Sequence, residues 1–171
     1  MTTSQTVTLR PATHRDAELL YQIYASTREE ELAPLDWDAS VKEAFLRQQF
    51  QAQDSYYRAT FTGATYDLIL DGDHVLGRLY VNRGEHAWLV LDIALLPKYR
   101  GNGIGTRLLR QVIADAQAAG KPVQIHVEQL NPARRLYERL GFQEIDDQGV
   151  YLLLECHAGK RNGRLQDGPA D

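Results

Sequence analysis

From Tyr66 the spacing of apolar residues changes from three and four to two, and that change divides the chain into its elements. Before it, Val7-Thr8-Leu9-Arg10 alternates and stops at Pro11, which predicts a short first strand. Thr13 then precedes a helix, with Asp16 at the third position as a capping-box acid. Ala17, Leu20, Tyr21 and Tyr24 give that helix an apolar stripe. The run Arg28-Glu29-Glu30-Glu31 reads as a solvated helix end, and Pro34 breaks the pattern. A second helix is expected from Asp38 or Ser40 through Ala44, Phe45, Gln48 and Gln49 toward Ala52.

Beyond Tyr66, Tyr66–Leu70 and His74–Asn82 read as a hairpin about Asp71-Gly72-Asp73. Arg83-Gly84 supplies another turn, and His86–Leu95 is the strongly apolar third member of the meander, ended by Pro97. Ile104, Leu108, Leu109, Val112, Ile113 and Ala116 mark one helix face, stopped by Gly120 and Pro122. Val123–Val127 reads as a strand, Pro132–Leu140 as a short helix capped by Gly141, and Phe142–Ile145 and Val150–Glu155 as closing strands. The order predicts one mixed α/β domain over residues 1–156. The remainder, 157–171, has almost no apolar anchor and is expected to be a polar, disordered tail.

Composition narrows the function classes. The 171 residues are 43% hydrophobic and 25% charged, ordinary values for a folded domain with a real core. A formal charge of −4 offers no bulk attraction to phosphate backbones, which disfavours a nucleic-acid binder. One cysteine, Cys156, excludes an internal disulfide and reads as a half-buried thiol near a strand end. The histidines show no metal-ligand spacing, so no metal is expected. No apolar run approaches the roughly 18 residues of a membrane span. MTTSQTVTLRP lacks the features of a signal peptide, so a cytoplasmic location is expected, with no membrane partner.

The segment Leu91-Asp92-Ile93-Ala94-Leu95-Leu96-Pro97-Lys98-Tyr99-Arg100-Gly101-Asn102-Gly103-Ile104-Gly105-Thr106 carries the chemistry. A buried strand ends, a loop follows, and three glycines open an amphipathic helix. Glycines let several backbone N–H groups converge with no Cβ in the way. The helix dipole and Arg100 add positive charge, so the segment is a pyrophosphate cradle. The spacing G-x-G-x-G after a meander departs from the dinucleotide fingerprint, and the P-loop lysine is absent.

Arg100-Gly101-Asn102-Gly103-Ile104-Gly105 resembles the R/Q-x-x-G-x-G/A motif of the GNAT family of N-acetyltransferases. Leu95-Leu96-Pro97 precedes it as in that family. Asn131-Pro132-Ala133-Arg134-Arg135-Leu136-Tyr137-Glu138-Arg139-Leu140-Gly141-Phe142 resembles the family's later N-x-x-A…Y-x-x-x-G-F block. The resemblance runs from Val7 to about Glu155. It implies a mixed, mostly antiparallel sheet flanked by helices and splayed at the fourth and fifth strands, with acetyl-CoA entering the gap. It implies cofactor contacts from Ile93, Ala94, Leu95, Arg100, Gly101, Asn102, Gly103, Ile104, Gly105, Thr106, Asn131, Ala133 and Tyr137. The Leu95 N–H would polarise the acetyl carbonyl, and Tyr137 would protonate the departing thiolate. Asn131 reads equally as a helix cap.

For the proton on the amine the family offers no single fixed residue. Asp92, an acid inside an apolar strand, is the best candidate base, because burial raises a carboxylate's proton affinity; a structural acid is the competing reading. Glu85, His86, His126 and Glu128 are weaker candidates for base or water relay. Tyr24, Trp37, Tyr56, Tyr57 and Tyr80 are the polar-edged aromatics on the acceptor side, with Arg28, Glu30 and Glu31 as residues that would select charge. The expected activity is direct acetyl transfer to a small-molecule or peptide amine in a ternary complex. A non-catalytic acyl-CoA sensor and transfer of a longer acyl group are the alternatives, and the resemblance allows a homodimer through the late strands.

Overall fold

The computed structural model describes residues 6–157, so the expected polar tail lies, His157 apart, outside the described residues. Strand β1 is Val7–Pro11. The capping box at Thr13 forms as expected: the Thr13 hydroxyl accepts the Arg15 N–H, and Asp16 accepts the Thr13 N–H at 2.7 Å. It opens a single 3-10 turn, His14–Asp16, that leads into α1, Ala17–Ser26. Arg10 adds two bonds to the Asp16 carboxylate at 2.9 and 3.0 Å and holds it well below the usual carboxylate range.

The charged run folds into a short helix, α2, Glu29–Leu32, fastened by buried Leu32. Helix α3, Ala39–Thr60, continues past Ala52, where the sequence reading ends it. Its last turns carry little apolar stripe and draw support from elsewhere. Arg58 pairs with Asp54 one turn back, at 3.0 Å. The Tyr66 hydroxyl shares its one proton between the main-chain oxygens of Tyr57 and Phe61, at 2.9 and 3.0 Å, and so ties the helix end to the following strand beside the backbone bonds those carbonyls already accept.

The meander is β2, Thr65–Asp71, β3, His74–Arg83, and β4, Trp88–Leu95. The third strand starts at Trp88 and not at His86, where the Trp88 N–H reaches the Pro122 carbonyl at 2.9 Å. Helix α4, Ile104–Ala118, β5, Val123–Glu128, α5, Arg134–Arg139, β6, Gln143–Asp147, and β7, Tyr151–Cys156, complete the chain. The seven strands form one sheet in the order β1-β2-β3-β4-β5-β7-β6. Every neighbouring pair is antiparallel except β4 with β5.

Helices α4 and α5 cover one face, where Ile104, Leu109, Val112 and Tyr137 pack on Val90, Val123 and Ile125. Helices α1 and α3 cover the other, through Leu20, Ile23, Phe50 and Tyr57 on Leu68 and Tyr80. Burying each such aliphatic side chain contributes about 1.5–3 kcal/mol. Among the described residues no helix is long and apolar enough to cross a membrane.

One close approach fixes β4 in place. A Cβ on Gly77 would sit 2.0 Å from the Ala94 carbonyl oxygen and 2.9 Å from the Leu95 Cα. Gly77→Ala is therefore expected to push β4 off β3 at Ala94–Leu95, at a cost of about 1–3 kcal/mol or more. Denaturant unfolding checks this, and a change below about 0.5 kcal/mol would show that the strands separate freely.

Candidate active site

The parallel pairing of β4 with β5 lasts three residue pairs, Trp88 with Val123 to Val90 with Ile125. The β4 ladder to β3 slips at the same place. Tyr80 pairs with Asp92 and Val81 with Val90, which leaves Leu91 as a bulge. Beyond it β4 continues to Leu95 without β5, and a cleft of about 420 Å³ opens between Leu91–Ala94 and Ile125–Glu128. This is the splay that the resemblance implies.

Two residues of α3, one turn apart, hold the bulge. The Tyr57 hydroxyl donates to the Leu91 carbonyl at 3.0 Å. Gln53 accepts from the Arg78 guanidinium at 3.1 Å, and Arg78 in turn donates to Asp92. Arg78 is only 2% exposed. Its guanidinium also lies 5.0 Å from the Tyr80 ring centroid and 5.8 Å from that of Tyr24. Asp92 is thus not an isolated acid in an apolar strand, as the sequence suggests; it is the counter-ion of a buried arginine. Arg78 and Gln53 escape sequence reading because only the β3–β4 register brings them to Asp92.

Tyr137 comes from α5 on the opposite face and lines the same cleft. Burial, and next the negative charge of Asp92, push its phenol up to about 12. Its ring meets Phe142 edge-on, with centroids 5.9 Å apart. The Asn131 side chain accepts the Ala133 N–H at 2.9 Å, a turn that leads into α5, while Asn131 also lines the cleft. Ala133 does not line it.

Of the weaker base candidates, His126 and Glu128 line the cleft. Glu85 and His86 stand apart from it, in the turn where the Glu85 carbonyl accepts from Lys121. Tyr24, Tyr56, Tyr57, Arg28 and Glu31 line the cleft; Trp37, Tyr80 and Glu30 do not. Trp37 packs edge-on against Phe45, and Tyr80 is core. Cys156 is buried outside the cleft with its sulfur 3.5 Å from the Leu140 carbonyl, and burial pushes its thiol up.

The glycine loop has the form the motif requires. Gly101 and Gly103 have φ of +79° and +75°, which a side chain would strain. A Cβ at Gly101, Gly103 or Gly105 would meet no atom within 4 Å, so the loop presents its backbone to open space. Helix α4 starts at Ile104 without a side-chain cap, which leaves its first N–H groups to a ligand or to water. Arg100 departs from the charge role read for it. Its guanidinium turns back, Nε to the Leu95 carbonyl at 2.9 Å and a terminal nitrogen 3.4 Å from the Ser26 carbonyl. The basic residues beside the loop are instead Arg107 and Arg110, which share a shallow groove with Asn102, Gly103 and Thr106. Their signal was in the sequence, as basic residues on the first turns of the helix that the glycines open.

The sequence profile of the Acetyltransferase (GNAT) family matches residues 18–142. The chain belongs to this family. A ribosomal protein alanine N-acetyltransferase of Haemophilus influenzae is 40% identical over 63 residues, 36% of this chain. The chain spans 43% of the length of that curated relative. Among solved structures, a PaiA N-acetyltransferase of Thermoplasma acidophilum in complex with coenzyme A has a TM-score of 0.68 at 16% identity, over 88% of this chain and 98% of that one. An acetyltransferase of Thermus thermophilus has a TM-score of 0.64 at 20% identity, over 88% and 95%. A GNAT acetyltransferase of Elizabethkingia anophelis with acetyl-CoA bound has a TM-score of 0.58 at 17% identity, over 90% and 99%. At these identities the structures establish the GNAT fold.

Proposed function

We propose that this GNAT protein is an N-acetyltransferase that uses acetyl-CoA and acetylates a primary amine by direct attack in a ternary complex. The observation that carries this reading is the meeting of Tyr137 and Asp92 in a cleft where β4 has lost its β5 partner. Acetyl-CoA supplies the activated thioester. The loop at Gly101–Gly105 and the first turn of α4 would hold its phosphates, with Arg107 and Arg110 alongside. The unpaired edge of β4, Ile93 to Leu95, would hold the pantetheine, and the Leu95 N–H would donate to the acyl oxygen.

A phenol with so high a proton affinity stays protonated at neutral pH and donates to the departing sulfur. Asp92 attracts the incoming ammonium and takes its proton, and His126 and Glu128, on the facing strand, relay it toward water. Cys156 is outside the cleft, so no covalent acyl-enzyme is involved.

Thiol release from acetyl-CoA, measured with and without amines, tests the reading. Amine-dependent release is the expected result. Coenzyme A binding with no turnover of any amine would make the protein an acyl-CoA sensor instead.

A further inference from the structure

We infer that the acceptor end of the cleft is an aromatic subsite for a primary ammonium carried on an aryl or alkyl chain without a neighbouring carboxylate. This rests on the acetyltransferase reading above. The extension of α3 past Ala52 brings Tyr56 and Tyr57 to the cleft, and Phe61 follows at the helix end. Their ring centroids lie 6.0 to 6.4 Å apart, so the three form one cluster. Tyr151, from β7, lines the cleft as well.

Tyr56 is 59% exposed and Tyr151 46% exposed. Two large rings open to solvent beside a cleft offer apolar contact to an entering molecule. Tyr57 is committed through its hydroxyl to Leu91, and the Asp92 carboxylate is near enough for its charge to act on the Tyr57 phenol. Aromatic faces around a carboxylate attract an ammonium twice, through the ring quadrupoles and through the charge.

The charges lining the cleft also argue against a carboxylate on the acceptor. Both guanidinium groups there already face acids. Arg28 lies 3.1 Å from Glu31 and 4.0 Å from Glu128, and Arg78 pairs with Asp92. An α-amino acid would bring a fourth carboxylate among three acids and two arginines; each arginine already pairs with an acid through a terminal nitrogen and keeps a buried Nε without a partner. Its charge would add to the excess of acids over arginines along the cleft, which opposes its desolvation. A chain bearing only the amine meets no such cost.

The test is a steady-state comparison of phenethylamine, hexylamine, phenylalanine and an alanine-starting peptide at saturating acetyl-CoA. Phenethylamine and phenylalanine share a skeleton and differ by the carboxylate. We expect kcat/KM for phenethylamine to exceed that for phenylalanine by about 100-fold or more. Tyr56→Ala should raise KM for phenethylamine by about tenfold and leave KM for acetyl-CoA within about twofold, with Tyr56→Phe restoring the amine KM. An exposed position makes Tyr56 safe for the fold, and a thermal melt confirms that for each variant. Equal use of phenylalanine, preference for the peptide, or a Tyr56→Ala enzyme with unchanged KM would overturn the subsite while acetyl transfer stands. Turnover of none of the four would overturn both.

Discussion

Tyr137→Phe should lower kcat by about 100-fold or more while the dissociation constant for acetyl-CoA stays within about twofold. The substitution removes one oxygen from a ring packed against Phe142, so packing survives and only the proton is lost. General acid–base groups contribute about 10² to 10⁴ in rate, which sets the scale. The pH behaviour follows with its sign. A phenol held near 12, above the ordinary value of about 10, keeps its proton throughout the neutral and mildly alkaline range. Loss of the acid form of Tyr137 should therefore cause no fall in kcat below about pH 11. Calorimetric titration with coenzyme A separates binding from turnover. Weakened binding with normal kcat would show that Tyr137 is a wall of the cofactor site and not its acid.

The second large effect is on stability. Asp92→Ala leaves the Arg78 guanidinium, almost wholly buried, without its counter-ion. Removing one partner of a buried ion pair costs about 3–5 kcal/mol, because the other charge stays uncompensated. For a domain of this size that corresponds to a fall in Tm on the order of 10 °C. Gln53 and the Tyr80 ring soften the loss without replacing a charge. Arg78→Met combined with Asp92→Leu should recover most of it, since a pair replaced by apolar groups is often neutral. Thermal unfolding of the single and double variants decides the matter. A single-variant cost below about 1 kcal/mol would mean that water reaches Arg78. Asp92→Asn keeps the shape and a hydrogen-bond acceptor for Arg78 but also removes its counter-ion, so kcat is to be compared well below the variant's Tm, where it should still fall by about 100-fold.

How far the sequence could be read is clearest at Gly103 and Arg78. Gly103 announces itself, because a left-handed turn before a helix admits little else and the motif spacing repeats the demand. Tyr137 is legible through the resemblance of the segment from Asn131 to Phe142 to the family's later motif block. Arg78 is one basic residue in an apolar strand, and nothing local says that a bulge at Leu91 turns Asp92 toward it. The end of α3 was hidden likewise. Its last turns depend on a hydroxyl from Tyr66, on another element, so the aromatic wall of the acceptor end was present in composition but not in place. Arg100 shows the converse: the motif located the residue, while tertiary contacts with Leu95 and Ser26 decided where its charge points.

The three-pair junction of β4 and β5 has a mechanical meaning. On one side four strands are tied by long antiparallel ladders, and on the other three more are tied in the same way. Between these two plates the main chain is stitched only from Trp88 to Val90, with α4 packed across both. Widening or narrowing the gap then bends one short seam and leaves both ladders whole. Amide exchange should report this as a line of weakness, with the β4 amides that face β5 exchanging before the β4 amides that bond to β3.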